Sequence, residues 1–240
     1  MSRLGVAITW LGHAAFHLAP DGEAPPFLFD PWLGNPKVPD NAVELAAGAR
    51  VILLTHGHWD HLTGVTELAQ AHGATVLTTD EVAQDLATDG LPEAQLVGYN
   101  IGGSATAHGI RATLVQAHHS SSRRNPDGRP RELATPCGFV VELPDGPVIY
   151  NTGDTGVFSD MALIAELYDP DILMLPIGDF YTMGARQAAK AVELVEPRWI
   201  VPQHYATFPG LPGTFTDFRQ ALDPSFRDRL IELVPGEAVH

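Results

Sequence analysis

Apolar residues in this chain come in short runs, and several of the runs stop on a histidine or an aspartate. Val6 to Leu11 and Ala15 to Leu18 flank Gly12-His13, and Phe27-Leu28-Phe29 ends at Asp30-Pro31. With Asp21-Gly22 as a turn between them, these runs read as strands of an N-terminal antiparallel meander. Val51 to Leu54 is a further buried strand, opening onto Thr55-His56-Gly57-His58-Trp59-Asp60-His61. After it the period changes. Leu62 to Ala71 reads as a helix closed by Gly73, Thr75 to Thr78 as a strand, and the next segment as a helix capped by Asp80 and ended near Gly90. Gly102-Gly103 reads as a turn, because no helix with a nucleotide-binding pattern follows it. Ile110 to Gln116, Gly138 to Leu143 and Val148 to Tyr150 return to strand, with a long loop from Ser120 to Pro136. Helices are expected at Asp160 to Leu167, Ala185 to Val195 and Phe215 to Leu222, and strands at Ile172 to Leu175, Trp199 to Val201 and Leu230 to Val234. This order predicts an α/β (α+β) fold with helices outside strands. No repeat, low-complexity tract or linker divides it, so residues 1–240 are expected to form a single domain.

The polar stops carry the chemistry. His56, His58, Asp60 and His61 lie within six residues at the end of a buried strand, where each polar head needs a partner. A metal ion is the economical one. Imidazole and carboxylate suit zinc, manganese or iron, and the lack of thiolate argues against a closed structural zinc site. His119 follows the run Ala112 to Ala117, Asp154 closes Val148 to Gly153, and His204 closes Trp199 to Gln203. Strand ends hold side chains rigidly at a sheet edge, where α/β proteins place their ligands. His118 and His119 compete for one inward position, and periodicity does not choose between them. Asp30 serves either as a turn cap or as support for a ligand, and His13 either as a structural group or as part of the active site.

HxHxDH after an apolar strand, with His119, Asp154 and His204 in that order, resembles the signature of the metallo-β-lactamase superfamily. Gly12-His13, Asp30-Pro31-Trp32, Gly153-Asp154-Thr155, Leu175 to Asp179 with Thr182-Met183-Gly184, and Pro202-Gln203-His204-Tyr205 are similar to a branch of metal-dependent hydrolases that resembles L-ascorbate-6-phosphate lactonase. The resemblance implies a four-layer αβ/βα sandwich built from two halves. It also implies two divalent ions: His56, His58 and His119 on one, Asp60, His61 and His204 on the other, and Asp154 bridging. Zinc or manganese comes first, with iron or nickel as alternatives. The pattern puts the ligand histidine before a small hydroxyl residue, which selects His119, before Ser120, over His118. A metal-bound hydroxide would then attack a small ester, lactone or phosphoester, with Asp60 and Asp154 as the catalytic carboxylates. Asp179 enters as a motif residue near the site and Tyr205 as a candidate acid for the leaving group.

Composition narrows the partners. With 29 acidic and 14 basic residues the net charge is −15, which disfavours nucleic acid. Against this background four arginines, Arg123, Arg124, Arg129 and Arg131, crowd the loop after His119. Around the turn Pro126-Asp127-Gly128 the two limbs could face a common anion, so a small anionic substrate is expected there. The lone Cys137 permits no internal disulfide and reads as a buried small residue. The start, Met1 to Gly5, has no secretory h-region before Gly12 and His13 interrupt it, and no window reaches a spanning length. A cytoplasmic protein with a small-molecule substrate and no membrane partner is expected, and assembly into a homo-oligomer stays open. Three other functions compete with the hydrolase: a nucleic-acid phosphodiesterase, an iron-dependent oxidoreductase and a non-catalytic metal-binding protein.

Overall fold

A computed structural model describes residues 3–125 and 127–240. The N-terminal runs form β1 (Val6–Trp10), β2 (Phe16–Pro20) and β3 (Phe27–Phe29), paired antiparallel as a meander. After helix α1 (Ala42–Ala47) come β4 (Val51–Leu53), the short helix α2 (Trp59–Leu62), α3 (Val65–His72), β5 (Thr75–Thr79), α4 (Asp80–Thr88) and β6 (Leu96–Tyr99). Strands β3 to β6 pair in parallel, as strands joined by helical crossovers must. Next follow β7 (Ser104–Ala107), β8 (Ile110–Gln116), the small hairpin β9 (Ser122–Arg124) and β10 (Pro130–Glu132), β11 (Cys137–Glu142) and β12 (Val148–Asn151). The last part holds α5 (Met161–Tyr168), β13 (Ile172–Pro176), α6 (Ala185–Val195), β14 (Trp199–Gln203), α7 (Phe215–Ala221) and β15 (Ala238–Val239).

The strands make a seven-stranded sheet, ordered β15-β1-β2-β3-β4-β5-β6, and a six-stranded sheet, ordered β14-β13-β12-β11-β8-β7. Each is antiparallel in one part and parallel in the other. Alternation along the strands explains how they stack. Val51 and Leu53 of β4 join a core shared with Leu114, Phe139 and Val141 of the second sheet. Ile52 and Leu54 point the other way, into a separate core with Val65, Ala69, Val82 and Leu86 of α3 and α4. Helices α5 and α6 cover the second sheet through Ile164, Ala188 and Val192. Helix, sheet, sheet and helix give four layers. Because β4 is buried on both faces, its sequence is an unbroken apolar run.

Four expectations need correction. The helix expected over Leu62 to Ala71 is broken: Thr63 is extended and Gly64 is left-handed at φ 86°, so α2 and α3 are separate pieces. Asp80 opens α4 without capping it, and its Oδ2 accepts from Gln84 Nε2 at 2.6 Å instead. The loop from Ser120 to Pro136 contains the β9–β10 hairpin; its Pro126 lies outside the described residues. Leu230 to Val234 makes only an isolated bridge to Ile200, because the Pro235-Gly236 turn takes the chain back and Gly236 N–H donates to Trp10 O at 2.9 Å. The C-terminal strand β15 therefore pairs with β1 in the first sheet.

Candidate metal centre

Strands of both sheets end in one cleft. His13 follows β1, Asp30 follows β3, and β4 leads through Leu54-Thr55 into His56 and the turn of helix α2 that carries Asp60 and His61. From the second sheet His119 follows β8, Asp154 follows β12 and His204 follows β14. Their ligand-type atoms gather into three overlapping groups: His13, Asp60, His61 and His204; His56, His58 and His119; and His56, His61 and Asp154. Within each group the atoms lie no more than 4.8 Å apart. All seven expected ligands are thus brought together, with His13 added. Asp154 Oδ2 is the meeting point, 3.0 Å from His204 Nε2, 3.4 Å from His61 Nε2 and 3.6 Å from His119 Nε2.

Asp30 sets the orientation of two of these rings. Its Oδ1 accepts from Thr55 N–H at 2.8 Å, while Oδ2 accepts from Thr55 Oγ1 at 2.7 Å and from His61 Nδ1 at 2.9 Å. Thr55 Oγ1, having donated its hydrogen to Asp30, accepts from His56 Nδ1 at 2.9 Å. Both rings therefore carry the proton on Nδ1 and turn Nε2 into the cleft, the arrangement that carboxylate support gives to ligating histidines. The Asp30 carboxylate thus bonds to Thr55 and His61, beside the candidate ligands, rather than to the turn it opens.

Two observations fit the site to a cation. Among the described residues His61 Nε2 and Asp154 Oδ1 are buried without a hydrogen-bond partner, a costly state for polar atoms that a metal ion removes. Burial opposes charge on His61, yet Asp154 and Asp30 on either side pull its pKa well above the ordinary histidine range, so this position calls for positive charge. Burial also pushes the Asp154 carboxyl up, but His204 and His61 outweigh it and hold it well below the usual carboxylate range. His56, His58 and His119 are all lowered, first by burial and then by neighbouring imidazoles, which keeps them neutral and their lone pairs available.

His13 sits beneath this floor. Its Nε2 is 3.0 Å from Asp60 Oδ2, its Nδ1 is 3.0 Å from Thr207 Oγ1, and its ring lies 4.0 Å from that of His204. Burial, then His204, lowers its pKa to about 4. Gly57 separates two of the histidines for a steric reason: a Cβ there would overlap Leu133, and its N–H donates to Ser121 Oγ at 3.1 Å.

Other candidates fall outside the floor. His118 is exposed and stacks on Phe158 at 4.5 Å, while the next residue, His119, turns inward. Asp179 closes its own loop, its Oδ1 accepting from Phe180 N–H at 2.8 Å. Tyr205 is buried against Trp10 at 5.1 Å with its pKa pushed up to about 12 by burial, which makes it a poor proton donor to a leaving group. Cys137 is fully buried and its Sγ donates to Thr55 O at 3.1 Å. Two of the four arginines are already paired with carboxylates at α4. Arg123 and Arg131 face each other across the hairpin, but the anion between them is the protein's own: Arg123 pairs with Asp85 at 2.6 Å and Asp89 at 2.5 Å, and Arg131 with Asp85. Arg124 bonds to Gly128 O at 2.9 Å.

Above the floor is a cleft of about 970 Å³ whose walls include Trp59, Tyr181, Phe208, Arg123 and Arg124. Sequence reading missed the aromatic wall, Thr55 and Thr207. Trp59 and Thr55 stand inside the motif and could have been found there; nothing in the sequence marks Thr207, which is brought to His13 from 194 residues away.

Comparison with known proteins agrees with this geometry. A family model described as the β-lactamase superfamily domain matches residues 26–205. A protein of Herpetosiphon aurantiacus called a UPF0173 metal-dependent hydrolase is 44% identical over 234 residues, covering 96% of both chains. A namesake from Archaeoglobus fulgidus is 42% identical over 96% of this chain and 97% of its own. Among solved structures, Igni18, a metallo hydrolase from the archaeon Ignicoccus hospitalis, is 34% identical with a TM-score of 0.84, covering 98% of this chain and 97% of that one. No helix among the described residues is long and apolar enough to cross a membrane.

Proposed function

The chain belongs to the metallo-β-lactamase superfamily as a metal-dependent hydrolase, and from this premise we propose that it uses a dinuclear site to hydrolyse a small ester, lactone or phosphoester in the cytoplasm. His56, His58 and His119 would hold one ion and Asp60, His61 and His204 the other, with Asp154 placed to serve both. The observation that carries this reading is the convergence of three imidazole nitrogens from different elements on Asp154 Oδ2, at 3.0 to 3.6 Å. Seven ligands also exceed what one ion with an open position can use.

Divalent cations, zinc or manganese foremost and iron or nickel as alternatives, supply the Lewis acidity that activates water and draws charge from the reacting carbonyl or phosphoryl oxygen. The chain's own residues orient and exclude. Burial raises the Asp60 carboxyl, but the bond from His13 outweighs it and keeps the group ionised, a carboxylate able to orient the attacking water by accepting its hydrogen bond. Water oxygen bonds to the acyl or phosphoryl centre, the bond to the leaving oxygen breaks, and of the two water protons one passes to that oxygen and the other to solvent. No side-chain nucleophile is needed, and burial holds the Cys137 thiol well above its ordinary range. A lactonase-like preference is the narrower form of the proposal.

Protein purified without chelator should hold about two divalent ions per chain by mass spectrometry. It should hydrolyse members of an ester, lactone and phosphoester panel, lose that activity in chelator and regain it with metal. A stoichiometry of one removes the dinuclear reading. Full metal without turnover across the panel removes the enzymatic one.

A further inference from the structure

The walls of the cleft differ in kind from its floor. Trp59 and Tyr181 are each 59% exposed and line the cleft together with half-buried Phe208, directly above His58, Asp60, His119, Asp154 and His204. Large aromatic rings left open to water at a polar, buried centre mark a surface that a ligand covers.

The rings of Trp59 and Phe208 are held in place, and Tyr181 is placed by its backbone. Trp59 rests edge-on against buried Trp32 at 4.8 Å, and Phe208 lies 6.2 Å from Trp32 and 6.3 Å from Trp59. Tyr181 projects from a loop in which Asp179 and Phe180 both take left-handed conformations, at φ 62° and 60°. A bulky residue such as Phe180 rarely adopts that conformation. The loop is fixed by the bonds Asp179 N–H to Met183 O at 3.0 Å and Met183 N–H to Thr155 O at 3.2 Å, beside Asp154. Strain maintained by neighbours next to a reactive centre is a mark of functional positioning. Of the two arginines in the wall, Arg123 is matched by Asp85 and Asp89, while Arg124 bonds to the Gly128 carbonyl.

We infer that the substrate carries an aromatic or similarly flat apolar group, packed on Trp59, Tyr181 and Phe208 while its hydrolysable bond reaches the floor. This rests on the hydrolase reading above and names its substrate class. A cleft of about 970 Å³ suits a small molecule of that kind. Rings of this size bury enough surface to dominate its binding. The small anionic substrate expected from the arginine loop becomes the secondary reading.

The test uses metal-loaded protein and two pairs of uncharged probes that differ only in the apolar group. Methyl 3-phenylpropanoate and methyl acetate report hydrolysis; 3-phenylpropanamide and acetamide report binding by ligand-observed NMR. The aryl amide should bind at least about tenfold more tightly than acetamide, and any ester turnover should favour the aryl ester by a similar factor. Tyr181→Ala should bring the binding ratio close to one. Trp59→Ala should do the same with its bound metal checked, since it lies between two candidate ligands. Selective aryl binding without turnover of any ester leaves the inference standing and counts against the hydrolase. Equal binding of the two amides, or no binding of either, overturns the inference whatever the turnover shows.

Discussion

The two sheets supply the candidate centre by different means. The first delivers His56, His58, Asp60 and His61 through one local stretch, and Asp30 wires two of them by hydrogen bonds before any ligand arrives. The second delivers His119, Asp154 and His204 from three separate strand ends. There, among the described residues, Asp154 Oδ1 and His204 Nδ1 are buried with no hydrogen-bond partner, against His61 Nε2 in the first half, and the polar contacts lie one layer down, where Asn151 Oδ1 accepts from Gly153 N–H at 2.9 Å and Gln203 Nε2 at 3.1 Å. One half is preset by its own side chains, while the other has its backbone fixed and its carboxylate waiting for a cation. Metal would therefore do more for the second half than for the first, and Asp154 is where the halves meet.

The largest effect is expected at that junction. Saturating zinc or manganese should raise the melting temperature of the wild type by about 5–10 °C, the shift expected for a chain of this length when ligand exceeds its dissociation constant about a hundredfold. Asp154→Ala should abolish most of that gain, lower the metal content and reduce turnover by more than the roughly 10- to 100-fold typical of a supporting residue. If stoichiometry and turnover survive the substitution, Asp154 bridges nothing.

Asp30→Asn tests the preset half. The amide keeps the shape but cannot accept from Thr55 N–H, Thr55 Oγ1 and His61 Nδ1 together, so at least one buried donor loses its partner at about 1–3 kcal/mol. Metal affinity should fall about 10- to 100-fold by calorimetric titration while both ions still bind at saturation. An unchanged affinity would mean that the rings are oriented by packing alone.

The neighbours His118 and His119 sharpen the contrast within one strand end. His119→Ala should lose one ion per chain, whereas His118→Ala should keep both and give up only a stack on Phe158. The opposite pattern would mean that strand β8 presents its other face in solution.

How much of this was legible in the chain follows from the same contrast. The local motif could be read outright, because four ligand-type side chains in six residues have no packing explanation. The dispersed ligands were legible only as polar stops on apolar runs, a signal available because β8, β12 and β14 are buried. Edge strands lacked that signal: β6 is partly exposed, β7 alternates exposed and half-buried positions, and β10 is exposed throughout, so none forms an apolar run. The support shell was the least visible. A buried threonine such as Thr207 looks like any other until the fold brings it to His13. The arginine cluster was visible, but for Arg123 and Arg131 the sequence shows the cations of an ion pair without its distant carboxylates.

That ion pair gives the smallest expected effect, and it bears on whether the hairpin belongs to the preset part of the cleft. Burial raises the Asp85 carboxyl, but hydrogen bonds from Arg123 and Arg131 outweigh it and its pKa lies below the ordinary value. A carboxylate whose folded pKa is depressed adds stability above its unfolded pKa, and that contribution is lost as pH falls through the folded value. The stabilisation should accordingly be complete at pH 7 and fade below about pH 4. Both arginines are partly exposed, 31% for Arg123 and 45% for Arg131, so the attraction is screened by water and salt. Ion pairs of this kind are worth about 0–1 kcal/mol, or up to about 4 °C in melting temperature for a chain of this size. Asp85→Asn should lower the melting temperature by that amount at pH 7 and low salt, and by less at high salt. The difference from wild type should close as the pH drops below 4. Hydrogen exchange should show the loss concentrated in Ser122 to Glu132, with Leu133 and Gly57 next affected, since Leu133 N–H donates to Ser121 O and its side chain covers Gly57. A destabilisation independent of both salt and pH would assign Asp85 to packing on α4 and leave the hairpin held by its backbone bonds alone.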